Sequence, residues 1–483
     1  MGETKDLAKW LAGLRFSDLP DTVVDFTKRF ILDDVGCMIG GALQLGNKAL
    51  MRDVLASGEK PQSTIAVYGH KTSAPSAALV NGAFICGWDY DCMATGGAHL
   101  GSQSAALIAM SEMKLVNGRE MITAECAGIE AQCRIGSAGA FTGAYRYPWH
   151  SNTTLGPFAA AVTTGKILEF DADTMENAIA IVLHSMGGNY QHFYTYGSSM
   201  KRIRCGIGAW SGIRAALLAK EGIVGPSQAL EGSMGFLEVM AGRKDDGTPC
   251  FDSKRITEEL GGKWYLYSYN SKGGACLCVS PLGSALETTL ALRKEYHLKT
   301  DEIESVVIEF PNEFSLRQCN WILGTQLGDT PEQRLGSSGW SARWMIAEAL
   351  VMGKPSIRVQ LNNSRPYGRY VEIEELSSRI SCRVNEEYYK ELDKKGIYYP
   401  RQAGRVITKL KSGRVLDGAP LPYKGLNDAK AENMHTLESL TVKLEEQATT
   451  AGISKMKQDR IVKFISNLED EETVLPLTSQ FVR

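Results

Sequence analysis

No stretch of about 18 consecutive apolar residues occurs in the 483-residue chain, so no membrane-spanning helix is expected. Net charge is nearly absent too: 53 basic against 55 acidic side chains leave −2, with no electrostatic footprint for nucleic acid. The first residues hold no apolar signal region, and Asp6 stands where a myristoylation site wants Ser or Thr. The phosphate loop G-x-x-x-x-G-K-S/T, the nucleophile elbow G-x-S-x-G and the metal helix H-E-x-x-H are all missing. Gly206, Gly208 and Gly212 follow no strand and are wrongly spaced for a dinucleotide site, and Cys276 and Cys278 lack a second pair at metal-ligand spacing. The 11 cysteines, an odd number without a secretion signal, read as reduced thiols. These absences predict a cytoplasmic protein with no nucleic-acid or membrane partner.

What is present is glycine, 49 residues concentrated in the first half of the chain, among alanine-rich stretches. Leu7, Trp10, Leu11 and Leu14 recur at helical spacing, and Pro20 opens a second helix carrying Val23, Phe26, Phe30, Ile31 and Val35. Ser76 to Phe84, Ser104 to Met113, Pro157 to Leu168 and the run from Gly206 to Leu218 repeat the theme, with small residues that let helices approach closely. After about residue 265 the texture changes. Ile303 to Phe310 and Ser381 to Val384 read as strands, Arg405 to Leu416 as a hairpin and Ser341 to Val351 as a helix. The predicted fold is mainly α: a large all-helical domain over 1–268, a smaller α+β lid domain over 269–422, and C-terminal helices over 423–483 packing back on the first domain.

Only 7 histidines occur, and two stand in matching settings. His99 lies in the glycine-rich loop Thr95 to Ser102 ahead of an alanine-rich helix, ten residues after the carboxylates Asp89 and Asp91. His150 lies in Trp149 to Pro157, again just before a helix. Helix N-termini suit bound carboxylates, and a histidine there exchanges protons near neutral pH. Lys201 belongs to the basic cluster Lys201-Arg202-Ile203-Arg204 at a helix start, and Lys272 to a glycine-rich joint between the expected domains. A cationic cleft between domains, with lysines clamping carboxylates and histidines moving protons, needs no metal. The plainer alternative is a solvated helix end and a linker lysine.

Taken in order, these segments resemble the MmgE/PrpD family. The resemblance rests on Leu7 to Leu11, Asp18-Leu19-Pro20, Ile31 to Gly36, Asn81 to Phe84, Asp89 to His99, Trp149-His150 with Gly156 to Ala161, Met200 to Gly206, Gly212 to Ala219, and Leu230 to Phe236. It covers about residues 7–275. It implies a helical domain with an α+β lid, a homodimer, no cofactor and no metal, and an active site lined by Asp89, His99, His150, Lys201 and Lys272. Arg202 and Met93 join these as substrate contacts. The chain departs from the family at Cys92, where a further aspartate is usual, and at Met93, where decarboxylases carry threonine. Leu100 follows His99 where the dehydratase branch usually has proline, and the stretch Lys272 to Pro281 lacks the histidine that many members carry a few positions after the lysine. The reading that results is a cofactor-independent lyase, decarboxylase or dehydratase, acting on a small di- or tricarboxylate. Lys201 and Lys272 hold carboxylates, His99 and His150 act as acid and base, and Asp89 orients a histidine. An isomerase or epimerase of a dicarboxylate, or a non-catalytic carboxylate-binding homologue, are the alternatives.

Overall fold

The computed structural model describes residues 2–94, 96, 98–139, 149–189, 191, 200–274, 276–320, 338–363, 369–397, 403–425 and 434–483. Thr95, Gly97 and Ala275, three residues of the expected loop and joint, lie outside that set.

Helices dominate, and their boundaries follow local chemistry. Pro20 caps the helix Asp21–Gly41, Ser73 accepts from the Ser76 amide to start Ala74–Ile85, and Asn117 and Glu120 form a reciprocal capping box before Gly118–Ala138. Ala74–Ile85 and Gly156–Ile167 are buried on nearly every face, as central helices must be when no side is polar. The helix Met200–Lys220 packs against both. Glycine permits that approach: a Cβ on Gly206 would stand 1.9 Å from the Leu79 carbonyl oxygen, and one on Gly82 2.6 Å from Gly206 Cα. The glycine excess is thus, in part, a packing device.

Among these helices sit two small antiparallel sheets. One pairs β1 (Ser63–Thr64) with β2 (Lys71–Thr72). The other has three strands in the order β4-β3-β5, from β3 (Cys92–Ala94), β4 (Ala98–His99) and β5 (Asn270–Ser271). Met93 is its centre, opposite His99 on one side and Asn270 on the other. The segment around His99, expected as a loop, is therefore a hairpin, and β5 from far along the chain completes it.

The four-stranded sheet has the order β7-β6-β8-β9, from β6 (Ile303–Phe310), β7 (Ile380–Val384), β8 (Arg405–Leu410) and β9 (Val415–Gly418). Only β6 and β7 run parallel. Val306, Ile308 and Phe310 alternate along β6 towards a core shared with the helices Ser280–Glu295 and Ala342–Met352. The architecture is mainly α with a smaller α+β part, as expected.

The buried apolar side chains form two clusters, one from Leu7 to Leu277 with the C-terminal helices, the other from Cys276 to Tyr423. The chain crosses between them immediately after Lys272. Leu440, Leu444 and Ala448 of the helix Leu437–Ala451 join the first cluster against Asp21–Gly41, each leucine contributing roughly 1.5–3 kcal/mol by burial. Among the described residues no helix is long and apolar enough to cross a membrane, and none of the 11 cysteines forms a disulfide.

Candidate functional site

The three-stranded sheet and the first turn of Met200–Lys220 converge on one buried carboxylate. Asp89 follows the helix ending at Ile85 and takes the left-handed backbone conformation, φ 55°, sparsely occupied outside glycine and characteristic of constrained sites. Its Oδ1 receives Lys201 Nζ at 2.5 Å and Arg204 Nη2 at 3.3 Å, and its Oδ2 receives Lys272 Nζ at 2.9 Å. Lys272, just past β5, also donates to the Asp89 carbonyl at 2.8 Å. Lys201 and Arg204 reach one target because residues three apart share a helix face. A helix N-terminus carries partial positive charge, so cations in its first turn are unfavourable unless carboxylates answer them.

Asp91 forms the second half of the cluster. Its Oδ2 lies 3.0 Å from His99 Nδ1 and 3.4 Å from Arg204 Nη2, while its Oδ1 is buried and has no hydrogen-bond partner among the described residues. Burial alone would raise both aspartates. The cations and His99 overcome it, holding Asp91 at about 2 and Asp89 well below the usual carboxylate range. Burial pushes His99 down to about 4 despite Asp91, so the imidazole is neutral at physiological pH. An ionised Asp91 accepts from Nδ1–H, which leaves the lone pair on Nε2, 4.0 Å from Asp89 Oδ1. The two lysines diverge. Burial, reinforced by Arg204 and Lys272, takes Lys201 well below its ordinary value; for Lys272 the attraction of Asp89 and Asp91 outweighs burial and raises it.

Asn152 ties His150 to this centre. His150 caps the short helix Ser151–Thr154, its Nδ1 accepting from the Asn152 amide at 3.3 Å. The Asn152 side chain donates to the His99 carbonyl at 3.2 Å and accepts from Arg204 Nε at 2.8 Å. His150 and Arg204 line one cavity of about 640 Å³ with Thr153, Ser185, Met200 and Ile207, a size usual for small-ligand sites.

The structure thus brings Asp89, His99, Lys201 and Lys272 into one contact cluster and attaches His150 through Asn152. Arg202 donates to the Gly87 carbonyl and lies over the Trp88 and Trp340 rings, within the electrostatic reach of Asp89 and Asp91. The ring of Trp340, from the second core, also has its centre 4.1 Å from Lys201 Nζ. Met93 is half-buried at the sheet centre, its sulfur 3.9 Å from the Ser280 hydroxyl. Arg204 and Asp91 belong to the same cluster, and Asn152 links it to His150. The i, i+3 spacing from Lys201 was the available signal for Arg204.

The donor atoms of Asp89, Asp91 and His99 lie within 4.8 Å of one another, close enough to share a divalent ion. Lys201, Lys272 and Arg204 already engage both oxygens of Asp89 and one of Asp91, and three positive heads oppose a further cation there.

The MmgE/PrpD N-terminal domain profile matches residues 5–248, the region that holds Asp89, His99, His150, Lys201 and Arg204. The chain is 26% identical over 403 residues to a cis-aconitate decarboxylase of Aspergillus terreus (strain NIH 2624 / FGSC A1156), covering 80% of this chain and 79% of that one. A second Aspergillus terreus cis-aconitate decarboxylase is 28% identical over 283 residues, 57% of each chain. The Homo sapiens cis-aconitate decarboxylase is 24% identical over 327 residues, 64% of each. The matched domain, and the buried histidine, lysine and aspartate cluster within it, make this chain a member of the MmgE/PrpD family.

Proposed function

We propose that the chain is a lyase of MmgE/PrpD type that decarboxylates or dehydrates a small di- or tricarboxylate. The observation that carries this reading is charge. Lys201, Lys272 and Arg204 are buried around two carboxylates, Asp89 and Asp91, with a neutral His99 beside them. Buried ammonium and guanidinium groups beside a proton-accepting imidazole suit a substrate that brings two or three carboxylates.

In the decarboxylation route, the carbon–carbon bond to one carboxylate breaks and CO₂ leaves. The electron pair shifts through the adjacent double bond, and the carbon that receives it takes one proton. In the dehydration route, a proton leaves carbon, hydroxide leaves the neighbouring carbon with a second proton, and a double bond forms. Neutral His99 accepts a proton through Nε2, and the lysines hold carboxylates.

Incubation with a panel of polycarboxylates that includes cis-aconitate, followed by NMR and CO₂ release, tests the reading. Turnover with loss of CO₂ or water is expected, falling on the order of 100-fold or more in His99→Ala and Lys272→Ala. Proton exchange from D₂O without CO₂ or water release would make it an isomerase; thermal stabilisation without product would make it a binding protein. Either outcome overturns the lyase.

A further inference from the structure

A second buried ion pair touches the backbone that presents Asp89 and Lys272. Asp33, in the helix Asp21–Gly41, and Lys443, in the helix Leu437–Ala451, meet at 2.6 Å, both almost fully buried. Lys443 Nζ also donates to the Tyr90 carbonyl at 2.7 Å and the Ser271 hydroxyl at 3.0 Å, and lies 4.1 Å from the Tyr90 ring centre. The other oxygen of Asp33 accepts from the Tyr269 hydroxyl at 2.9 Å and from Ser271 at 2.5 Å. Tyr269 is held in turn by the Phe30 ring, 4.3 Å away between centres.

The placement of these contacts is specific. Tyr90 is the residue between Asp89 and Asp91, and Ser271 is the residue before Lys272. One ammonium group therefore grips both chain segments that meet in the carboxylate cluster, without touching the cluster's own side chains. We propose that Lys443 is a positioning residue for the active site: by bonding Tyr90 and Ser271 together against Asp33, it fixes where Asp89, Asp91 and Lys272 stand relative to one another. A buried pair of this kind adds little net stability, because desolvation offsets its attraction, whereas its geometry can fix one arrangement. Preorganisation is sensitive: a displacement of about 1 Å in a catalytic group costs on the order of 100-fold in rate.

The test replaces both charges at once, Asp33→Asn with Lys443→Met, so that no lone ion is left buried. Two readouts apply in the full-length protein. The first, which rests on the lyase reading, is kcat/KM for the panel member that wild type turns over; a fall on the order of 100-fold with the thermal midpoint unmoved is expected. The second needs no substrate: the ¹³C-labelled His99 ring is titrated by NMR and identified with His99→Gln. His99 faces Asp89, Asp91, Arg204 and Lys272, and burial holds its ring down to about 4, the midpoint expected for wild type. Loosening the Asp91 segment admits water, so the midpoint is expected to rise towards its ordinary value. An unchanged midpoint overturns the proposal, as does unchanged kcat/KM. If wild type turns over no panel member, the lyase reading fails, and the His99 titration alone decides the role of Lys443. Should the double variant not fold, Lys443→Arg keeps the charge with different geometry, and the same two outcomes apply.

Discussion

At the scale of single residues, the molecule stores charge in its interior and controls each group by its surroundings. Glu125 illustrates the sign of such control. It is fully buried, accepts from Ser104 Oγ at 2.5 Å, and burial raises it to about 7. Its folded value lies above the unfolded value near 4.5, so the folded state holds the proton more tightly and stability falls as pH rises across 4.5–7. Between pH 6 and 8 this group removes roughly 1–1.5 kcal/mol. Glu125→Gln mimics the protonated form, so the thermal midpoint of the variant should gain on wild type from pH 6 to pH 8. A constant gap between the two would refute the assignment. His99 has the opposite logic: its folded value of about 4 lies below the unfolded 6.5, so the stability tied to the neutral ring is present above 6.5 and is lost as pH falls towards 4. Exchanging His99 for Gln should therefore flatten the acid limb of the stability profile in that window.

Among elements, the helix Met200–Lys220 matters most, because one end carries Lys201 and Arg204 and its middle crosses Ala74–Ile85 through Gly206. Gly206→Ala should cost on the order of 3 kcal/mol or more and reduce turnover with it, since the added methyl meets backbone that cannot swing aside. Gly13→Ala is the control: nothing lies within 4 Å of the new methyl, and the midpoint should hold or rise slightly. Retention of wild-type stability by Gly206→Ala would remove the packing explanation of the glycines. This helix also shows how much was readable from sequence. Its small-residue face and its basic start at Lys201 were plain in the local pattern, as were the strand Ile303 to Phe310 and the hairpin Arg405 to Leu416. His99, Asp89 and Lys272 stood out by residue type and setting. The contacts that make them a site were not local. Asp89 meets Lys201 and Lys272 across 112 and 183 positions, and Met93 pairs with Asn270 through a strand two residues long. No periodicity reports so short a strand, and for that reason the setting of His99 read as a loop. Arg204 was visible within the basic cluster, but its reach to Asp89 and Asp91 depends on the phase of a helix whose neighbours come from elsewhere.

At the scale of the whole molecule, we propose that the chain pairs as the homodimer its family resemblance implies. Trp210 and Leu218 of Met200–Lys220 are 41% and 39% exposed, and Ile223 and Val224 just beyond it are more so, apolar side chains of the kind an interface between copies covers. Light scattering should return twice the 52.8 kDa chain mass, and Trp210→Glu should shift the population towards one chain; a wild-type monomer would dismiss the proposal.

The clamp from Lys443 to Tyr90 has a temporal meaning as well. These two residues are 353 positions apart, and a ribosome adding about 5–20 residues per second needs roughly 20–70 s to travel between them. Throughout that interval Asp33 exists without its cation, and until residue 272 emerges Asp89 lacks one of its own. The nascent chain can build its helices early, but the centre that joins them is finished only near the end of synthesis.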